Sequence, residues 1–380
     1  MFHFRDHGTA TSLRHSLAPH SRMIVRRVAM DRWSLLALAR FFLALIVGIS
    51  HLEKVTSLGW VPSLDLLGPF EAVLGFLLIS GYSIGSSYGK EPDGFLKRRA
   101  MRIYPVYFGA IVLACFATTQ PWNGELVWTV IQNLLFLNQI TTKESFIPAA
   151  WSLSLEVWLY CLTPLLARLK TSQIRVLMYA SFAAFCAHEV ARTALHLSYY
   201  AGVSYGLNLL VLSFVWLGGF IIAREPSTAM RTLRDCALMF LGYEAMTAAI
   251  QALYLIKHQQ FASFDYVFYF AHTATLVAVA ALFWWIVTGR SGQTKSATMR
   301  LLGDISYPYY LVHIPVYALL QLAGVNNALL LAPAAIVVSY LFYLCFDFYS
   351  RSKLQEARRY RVPERVVLEV RPGLADHTLN

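Results

Sequence analysis

Long stretches without a single Asp, Glu, Lys or Arg dominate this 380-residue chain. They cover residues 72–89, 103–124, 193–223, 266–289 and 305–346. A helix needs about 20 apolar residues to cross a bilayer, and the longest stretch is broken only by Gly-Val-Asn-Asn at 324–327, which predicts two crossings joined by a tight turn. Charged residues make up 14% of the chain, against about 25% in a soluble domain, so a soluble globular protein is not expected.

Together with the other hydrophobic segments, these stretches predict an all-α fold, a polytopic integral membrane helical bundle of about ten transmembrane helices. The helices are expected near residues 34–53, 64–88, 101–119, 149–168, 175–197, 205–223, 236–256, 265–288, 304–322 and 327–348. The predicted domains are a disordered basic N-terminal tail at 1–32, a membrane domain at 33–350 and a cytoplasmic C-terminal tail at 351–380.

The positions of the basic residues predict the orientation. If both termini lie in the cytoplasm, the cytoplasmic segments hold 27 of the 32 Lys and Arg residues, and the outer loops hold only Lys54, Lys143 and Lys257. The positive-inside rule requires this bias for an even number of crossings. Arg40 and Arg192 are left inside helices. We therefore expect a multi-pass protein of the inner (plasma) membrane with both termini cytoplasmic.

The net charge of +11 has a simple interpretation in this topology. Basic cytoplasmic loops attract anionic lipids and anionic ligands, so membrane lipids are expected partners and nucleic acid is not. The five cysteines lie far apart in apolar segments and are expected to be buried small hydrophobic residues. His188-Glu189-x-x-Arg192 lacks the second histidine of a zinc helix, so no metal site is predicted and Glu189 and Arg192 are expected to pair.

Arg40 lies in the middle of an apolar helix, where an arginine costs at least about 2.5–3.5 kcal/mol unless it faces a wet or anionic interior. His51 follows eleven residues later, and eleven steps of about 100° end about 20° past three full turns. Both side chains are therefore predicted on one face, about 16 Å apart along the axis. Taken alone, His51 also fits an interfacial residue at a helix end.

Five sequence elements occur in a fixed order between residues 38 and 313. They are the Arg40-x10-His51 pair, GFLLISGY at 75–82, FLKRRAMRIYPVY at 95–107, WSLSLEVWLY at 151–160 and LGDISYPYYLVH at 302–313. This ordered set resembles the signature of the acyltransferase-3 family of integral membrane acyltransferases. One departure lies at the end of the last helix, where DFYSR at 347–351 lacks the proline of the family's Glu-x-Pro-type sequence.

The resemblance implies transfer of an acyl group, usually acetyl, from cytoplasmic acyl-coenzyme A to a hydroxyl group of a cell-surface or exported carbohydrate or glycolipid. Acyl-coenzyme A is then a co-substrate, and no permanently bound cofactor is expected. The alternative class is a secondary transporter or flippase for a glycan or lipid, which also uses about ten helices. Transporters usually show two related halves with Gly- or Pro-broken helices, and this sequence has no such internal symmetry.

Four arginines are candidates for binding the acyl-coenzyme A donor. Arg98, Arg99 and Arg102 lie at the cytoplasmic start of the third helix, with spacings of three and four that predict one face able to fork onto phosphates. Arg40 is expected to be the next cation along the ligand, deeper in the membrane. The three clustered arginines also fit plain positive-inside topology.

His51 and Glu156 are the candidate catalytic residues. Transfer to an alcohol requires removal of its proton during attack, and a neutral imidazole suits that role, so His51 is the predicted general base. A covalent acyl-histidine intermediate is the rival mechanism. Glu156 is predicted near the outer end of its helix, where it can orient the imidazole, bind the acceptor sugar or serve as a simple interfacial acid.

Tyr307, His313, Trp151 and Ser152 are the candidate substrate-binding residues, because the motifs that resemble the family contain them. Tyr310 lies roughly on the same helix face as Tyr307 and His313, and packing is its expected role.

Three further ionisable residues, Glu71, Glu244 and His272, fall inside predicted helices. Each is a candidate for acceptor binding, and the sequence does not rank them. The GxxxGxxxG run at 81–89 predicts close packing of one helix against another.

Overall fold

The computed structural model describes residues 31–56, 64–142, 144–195, 205–289, 292 and 294–348. Apart from Asp31 and Arg32, the two predicted tails lie outside the described residues. The helices are α1 (Arg32–Val55), α2 (Pro69–Lys90), α3 (Phe95–Ala117), α4 (Gly124–Leu134), α5 (Trp151–Leu166), α6 (Thr171–Leu195), α7 (Leu207–Arg224), α8 (Ala229–Lys257), α9 (Tyr266–Thr288), α10 (Ala297–Leu322) and α11 (Ala328–Phe342), followed by a π-helical segment at Tyr343–Phe348.

The prediction of an all-α membrane bundle is confirmed. Ten of the helices coincide with the ten that the sequence predicts, and the described part of the chain contains no β-strand. Nine of them are long and apolar enough to cross a membrane. The tenth, α10, is less apolar and contains Pro308 and Pro315, but its 26 residues pack along α1 through the bundle.

The sequence analysis did not predict α4, a helix of 11 residues between α3 and α5. It is too short to cross a bilayer, and a search for apolar segments of crossing length passes over it. Asn123 caps it by accepting a hydrogen bond from the Leu126 backbone N–H at 2.8 Å. Asn133 near its other end is fully buried and accepts a hydrogen bond from the Phe146 backbone N–H. The helix is thereby fixed to the loop that leads into α5.

Glycines let α2 and α7 touch, as the GxxxGxxxG run predicts. A Cβ atom added at Gly81 would overlap the backbone carbonyl of Trp216, and one added at Gly85 would lie 3.1 Å from the carbonyl oxygen of Phe220. Gly89 has no neighbour within 4 Å and takes no part in the contact. Because α7 covers the glycine face of α2, another face of α2 is turned towards the interior of the bundle.

A second close helix contact, between α1 and α10, also shapes the interior of the bundle. A Cβ atom at Gly48 would overlap the Tyr309 side chain, and one at Gly303 would overlap Ala37. The Tyr317 hydroxyl also donates a hydrogen bond to the Gly48 carbonyl. These contacts place the polar residues of α1 and α10 opposite one another.

We call the end of the bundle where α1, α3 and α10 begin and α2 ends the basic end. An ion pair marks it, with Arg300 Nη2 at 2.7 Å from Asp31 Oδ2, and it joins the starts of α10 and α1. Lys90 and Arg102 belong to the same end, at the end of α2 and near the start of α3. The opposite end, which includes α4, is called the far end.

The expectation that all five cysteines are buried is wrong. Cys236 is buried, but Cys161 and Cys345 are exposed on the helix surface. Side chains that face lipid and side chains that face the core are equally apolar, so hydropathy does not separate them.

The expected pairing within α6 is confirmed, because Arg192 donates to both carboxylate oxygens of Glu189 at 3.1 and 3.0 Å.

Candidate active site

A cavity of about 610 Å³ runs from the basic end into the middle of the bundle, between α1, α2, α3, α5 and α10. We call it the inner cavity. The charged residues of its wall are Arg40, Lys90, Arg99, Arg102, Arg300, Glu91, Glu156 and Asp304. Five cations against three acids favour an anionic ligand.

The Glu156 carboxylate lies in the wall of the inner cavity, within a cluster from four helices. The hydroxyl of Tyr160, one turn further along α5, donates to Glu156 Oε2 at 2.7 Å and lies 3.2 Å from Ser80 Oγ. The positive charges of Arg40 and Arg99 act on the same carboxylate. A carboxylate at membrane depth needs such partners, and the Tyr160 hydroxyl and the two positive charges supply them. The structure puts it in this cluster rather than beside His51.

The basic end of the inner cavity carries two cations with defined partners. Lys90 Nζ lies 5.6 Å from the centroid of the Trp33 ring, a cation–π distance. Arg300 pairs with Asp31. Burial raises the pKa of Asp31, but hydrogen bonds from Arg300, the Trp33 backbone and Ser34 outweigh burial and hold that pKa below its ordinary value. Asp31 is therefore ionised at neutral pH and keeps Arg300 at the basic end of the inner cavity.

The structure does not bring Arg98 into the inner cavity, whereas Arg99 and Arg102 line it. The Arg98 guanidinium donates to the backbone carbonyls of Glu91 and Asp93 and lies 3.2 Å from the Glu91 carboxylate. Successive helix residues differ by about 100° in direction, so Arg98 and Arg99 serve different surroundings. Arg98 fastens the short loop between α2 and α3.

The deep end of the inner cavity is closed by a contact between α5 and α10. Ser152 Oγ and Tyr310 Oη lie 2.8 Å apart, and both residues are buried. The Phe76 ring packs edge-on against the Tyr310 ring, with the centroids 5.4 Å apart. We call these three residues the end wall. Beyond it, the Tyr310 ring lies 6.4 Å from the ring of His313.

His51 and His313 form a pair behind the end wall. His51 Nδ1 lies 2.9 Å from His313 Nε2, and His313 Nδ1 lies 2.9 Å from the backbone carbonyl of Tyr309. A carbonyl only accepts, so His313 Nδ1 carries a proton, and the Nε2 of neutral His313 accepts from His51 Nδ1–H. The lone pair of neutral His51 is then on Nε2. The arrangement therefore fixes the tautomer in which Nε2 of His51 is the proton acceptor.

A second cavity, of about 510 Å³, lies at the far end between α3, α4, α10 and the loop before α5. We call it the outer cavity. Its polar wall consists of Thr118, Gln120, Asn123, Glu125, Thr129, Glu144 and Ser145. From α10 it is lined by Ile314, Pro315 and Ala318, which lie one, two and five residues after His313. The two cavities thus approach the histidine pair from opposite ends.

A family model described as an acyltransferase domain, that of the acyltransferase-3 family, matches residues 36–346. The chain belongs to the acyltransferase-3 family. It is a multi-pass membrane acyltransferase, as its helical bundle and the match together require. No curated protein and no solved structure matches it significantly.

In this acyltransferase, Arg40 and His51 do not share a cavity, although the spacing predicts one face of α1. Arg40 lines the inner cavity, and among the described wall residues His51 is absent. The reason lies in α10, which packs along α1. Its Tyr310 side chain lines the inner cavity and also lies beside the ring of His313, the partner of His51. His51 instead faces His313.

The four predicted substrate-binding residues also lie in different places. Ser152 and Tyr307 line the inner cavity of the acyltransferase, and the Tyr307 hydroxyl donates to the Ile103 carbonyl at 2.9 Å. Trp151 is buried in the hydrophobic core. His313 is fully buried between His51 and the Tyr309 carbonyl, so it contacts the candidate base.

Sequence reasoning missed the serines that line one side of the inner cavity. They are Ser80, Ser83, Ser86 and Ser87 of α2. Their spacings of three, six and seven residues follow one helix face, so the periodicity of the small polar residues carried the signal. The sequence analysis also missed Tyr160, Lys90 and Arg300, for which only the spatial contacts give a reason.

Proposed function

We propose that this membrane acyltransferase moves an acyl group, acetyl in the simplest case, from cytoplasmic acyl-coenzyme A to a hydroxyl of a cell-surface or exported carbohydrate. One observation carries the proposal. A continuous line of contacts joins the cationic inner cavity, through Tyr310 and His313, to the imidazole of His51. Donor and acceptor then meet at the histidine pair, each arriving from its own end.

The inner cavity suits a thin, anionic and polar donor. Lys90, Arg102 and Arg300 at the basic end offer cations to the phosphates of coenzyme A. The serine face of α2 supplies hydroxyls along which the amide-containing arm can lie. A volume of about 610 Å³ is within the usual range for a small-molecule site.

Two further cations, near the Glu156 carboxylate, complete the donor site. Arg40 and Arg99 both line the inner cavity, and their charges act on Glu156. We assign them to the thioester end of the donor and Glu156 to their positioning. The thioester must then pass the end wall to meet His51, which requires the Ser152–Tyr310 contact to open.

His51 is the proposed general base. Its Nε2 takes the proton of the acceptor hydroxyl as the oxygen attacks the thioester carbonyl. The new C–O bond forms, the C–S bond breaks, and the coenzyme A thiolate leaves and recovers a proton from the imidazolium. His313 is a positioning residue, since it accepts from His51 Nδ1–H and is itself held by the Tyr309 carbonyl.

The outer cavity is the proposed acceptor site. Its carboxylates, side-chain amides and hydroxyls are the groups that hydrogen-bond a carbohydrate or the head of a glycolipid. Trp122 and Trp128 are 56% and 58% exposed nearby in sequence, so their rings are open to stacking with a sugar. The acceptor hydroxyl would reach His51 from this side.

The proposed location is the inner (plasma) membrane, with both termini and the basic end in the cytoplasm. The positive-inside bias supports this orientation. It places the cationic entrance on the side where acyl-coenzyme A is made. Membrane lipids are the other expected partners, and neither nucleic acid nor a permanently bound organic cofactor is required.

The test is direct transfer. Purified protein is given acetyl-coenzyme A labelled in its acetyl group, together with a glycan extract, and both labelled glycan and released thiol are measured. The wild type is expected to form an alkali-labile ester, and His51→Ala to lower the rate by about 10²–10⁴-fold. A folded wild type that neither transfers nor hydrolyses the acetyl group would overturn the proposal.

A further inference from the structure

Three ionisable side chains from separate helices meet within the bundle, away from the basic end. Glu71 lies in the first turn of α2, Glu244 in α8 and His272 in α9. One ligand atom from each lies within 4.8 Å of the other two. The three side chains are only 1%, 6% and 8% exposed. We call them the EEH cluster.

The EEH cluster has unfilled hydrogen-bonding capacity. His272 Nδ1 lies 3.0 Å from Glu71 Oε1. The other Glu71 oxygen, Oε2, and Glu244 Oε1 are buried and accept no hydrogen bond from the described residues. A buried oxygen left without a partner costs about 1–3 kcal/mol, and more when it is charged.

Its charges are also unbalanced. Glu71 and His272 both act on the Glu244 carboxyl through their charges, and Glu71 also forms a side-chain hydrogen bond with it. Two carboxylates with one imidazole carry a negative sum at membrane depth, where ionised groups persist only when paired. A bound cation would neutralise that sum, and so would a proton shared between the two carboxyl groups.

We propose that the EEH cluster binds a divalent first-row metal ion, for which Zn²⁺ is the probe. One imidazole nitrogen and two carboxylate oxygens are ligands that Zn²⁺ accepts, with a fourth position for water. Tetrahedral ligands at about 2.1 Å lie about 3.4 Å apart. The widest pair, at up to 4.8 Å, reaches that separation by a small torsion of the two Glu side chains.

A glycine lies beside the cluster, where a larger residue would crowd one of the carboxylate oxygens. Gly68 precedes α2 with φ of 67°, and a Cβ atom there would lie 2.7 Å from Glu71 Oε2. Glycine keeps the space beside this oxygen open. His272 also contacts the Phe268 ring, with the centroids 3.9 Å apart, which limits its rotation.

The EEH cluster is separate from the proposed active site. None of its three residues is among the described residues that line the inner or the outer cavity. A bound ion would clamp α2, α8 and α9 together. Its expected effect is therefore on stability, with no step of the transfer reaction routed through it.

The experiment measures metal content and thermal stability on the full-length protein in detergent. After chelation and desalting, Zn²⁺ is added and the bound metal is counted by mass spectrometry. About one Zn²⁺ per chain is expected, with a rise in the unfolding temperature that the chelator reverses. Glu71→Gln and His272→Ala are expected to bind at least about 100-fold more weakly. His188→Ala, which removes another buried histidine, should bind as the wild type does.

X-ray absorption at the zinc edge of the wild type keeps the test independent of how the variants fold. Nitrogen and oxygen ligands alone support the EEH cluster, and sulfur ligands would instead assign the metal to a cysteine. A wild type that binds no Zn²⁺ and gains no stability from it would overturn the proposal, and would indicate that a proton shared by the two carboxyl groups neutralises the cluster.

Discussion

His51 Nδ1 lies 2.9 Å from His313 Nε2, and 262 residues of sequence separate the two rings. The rings are nearly parallel, at an angle of 9°. Because the Tyr309 carbonyl fixes the proton on the far nitrogen of His313, this contact decides which nitrogen of His51 accepts a proton. The contact with His313 therefore prepares His51 to act as a base.

The first prediction separates the base from its positioning partner. His51→Ala removes the proton acceptor and is expected to lower kcat by about 10²–10⁴-fold. His313→Ala leaves His51 in place but removes the contact that orients the His51 ring. A smaller fall in kcat, of at least about tenfold, is therefore expected, with the KM for acyl-coenzyme A unchanged. His313→Gln, whose amide oxygen can accept from His51 Nδ1–H, should recover part of the rate. Equal losses in both His313 variants would argue against positioning.

The second prediction uses two adjacent arginines as a matched pair. Arg99→Ala removes a cation from the inner cavity and is expected to raise the KM for acyl-coenzyme A at least about tenfold, or about 1.4 kcal/mol. Arg98→Ala removes loop contacts outside the cavity and should leave that KM unchanged. Steady-state kinetics with varied donor would decide, and a larger effect at Arg98 would contradict the site.

The third prediction concerns the end wall. Tyr310→Phe and Ser152→Ala each remove the same buried hydrogen bond, worth about 1 kcal/mol or about fivefold in a rate. If the wall must open for transfer, both variants are expected to speed the slow hydrolysis of acyl-coenzyme A without acceptor. The double variant should be no faster than either single one. Additive effects would mean that the two residues act separately.

The fourth prediction tests the close contact between α2 and α7. Gly81→Val places methyl groups against the Trp216 backbone and is expected to destabilise the protein by about 1–3 kcal/mol. Gly89→Ala, where no atom lies within 4 Å of the added Cβ, is the control and should be near neutral. Thermal unfolding in detergent measures both, and a neutral Gly81→Val would show that the helices do not touch there.

The fifth prediction is the orientation. In a variant without the five native cysteines, Gln260→Cys at the far end is expected to react with an impermeant maleimide applied to intact cells. Ser227→Cys, between α7 and α8 at the opposite end, should react only after the membrane is opened. The reverse labelling pattern would place the donor entrance outside the cytoplasm.

The sequence identified many residues of the candidate site but little of their spatial arrangement. The motifs supplied Arg40, Arg99, Arg102, Glu156 and Ser152, all of which line the inner cavity. The motifs do not show the surroundings of Glu156 and His313, because both have partners on other helices. Glu156 interacts with Ser80, Arg40 and Arg99. His313 contacts His51. The EEH cluster shows the same limit, since its members lie on three helices.

The sequence by itself determined that the chain forms about ten apolar helices, and its basic residues predict which ends lie in the cytoplasm. Both properties depend on local composition, because each helix satisfies its own backbone hydrogen bonds in lipid. Only the tertiary structure decided which face of each helix meets another helix and which meets lipid. Hydropathy is the same for both faces, so the apolar pattern does not reveal that His51 faces His313 or that the serines of α2 line the inner cavity. Both depend on how α1 packs on α10 and α2 on α7.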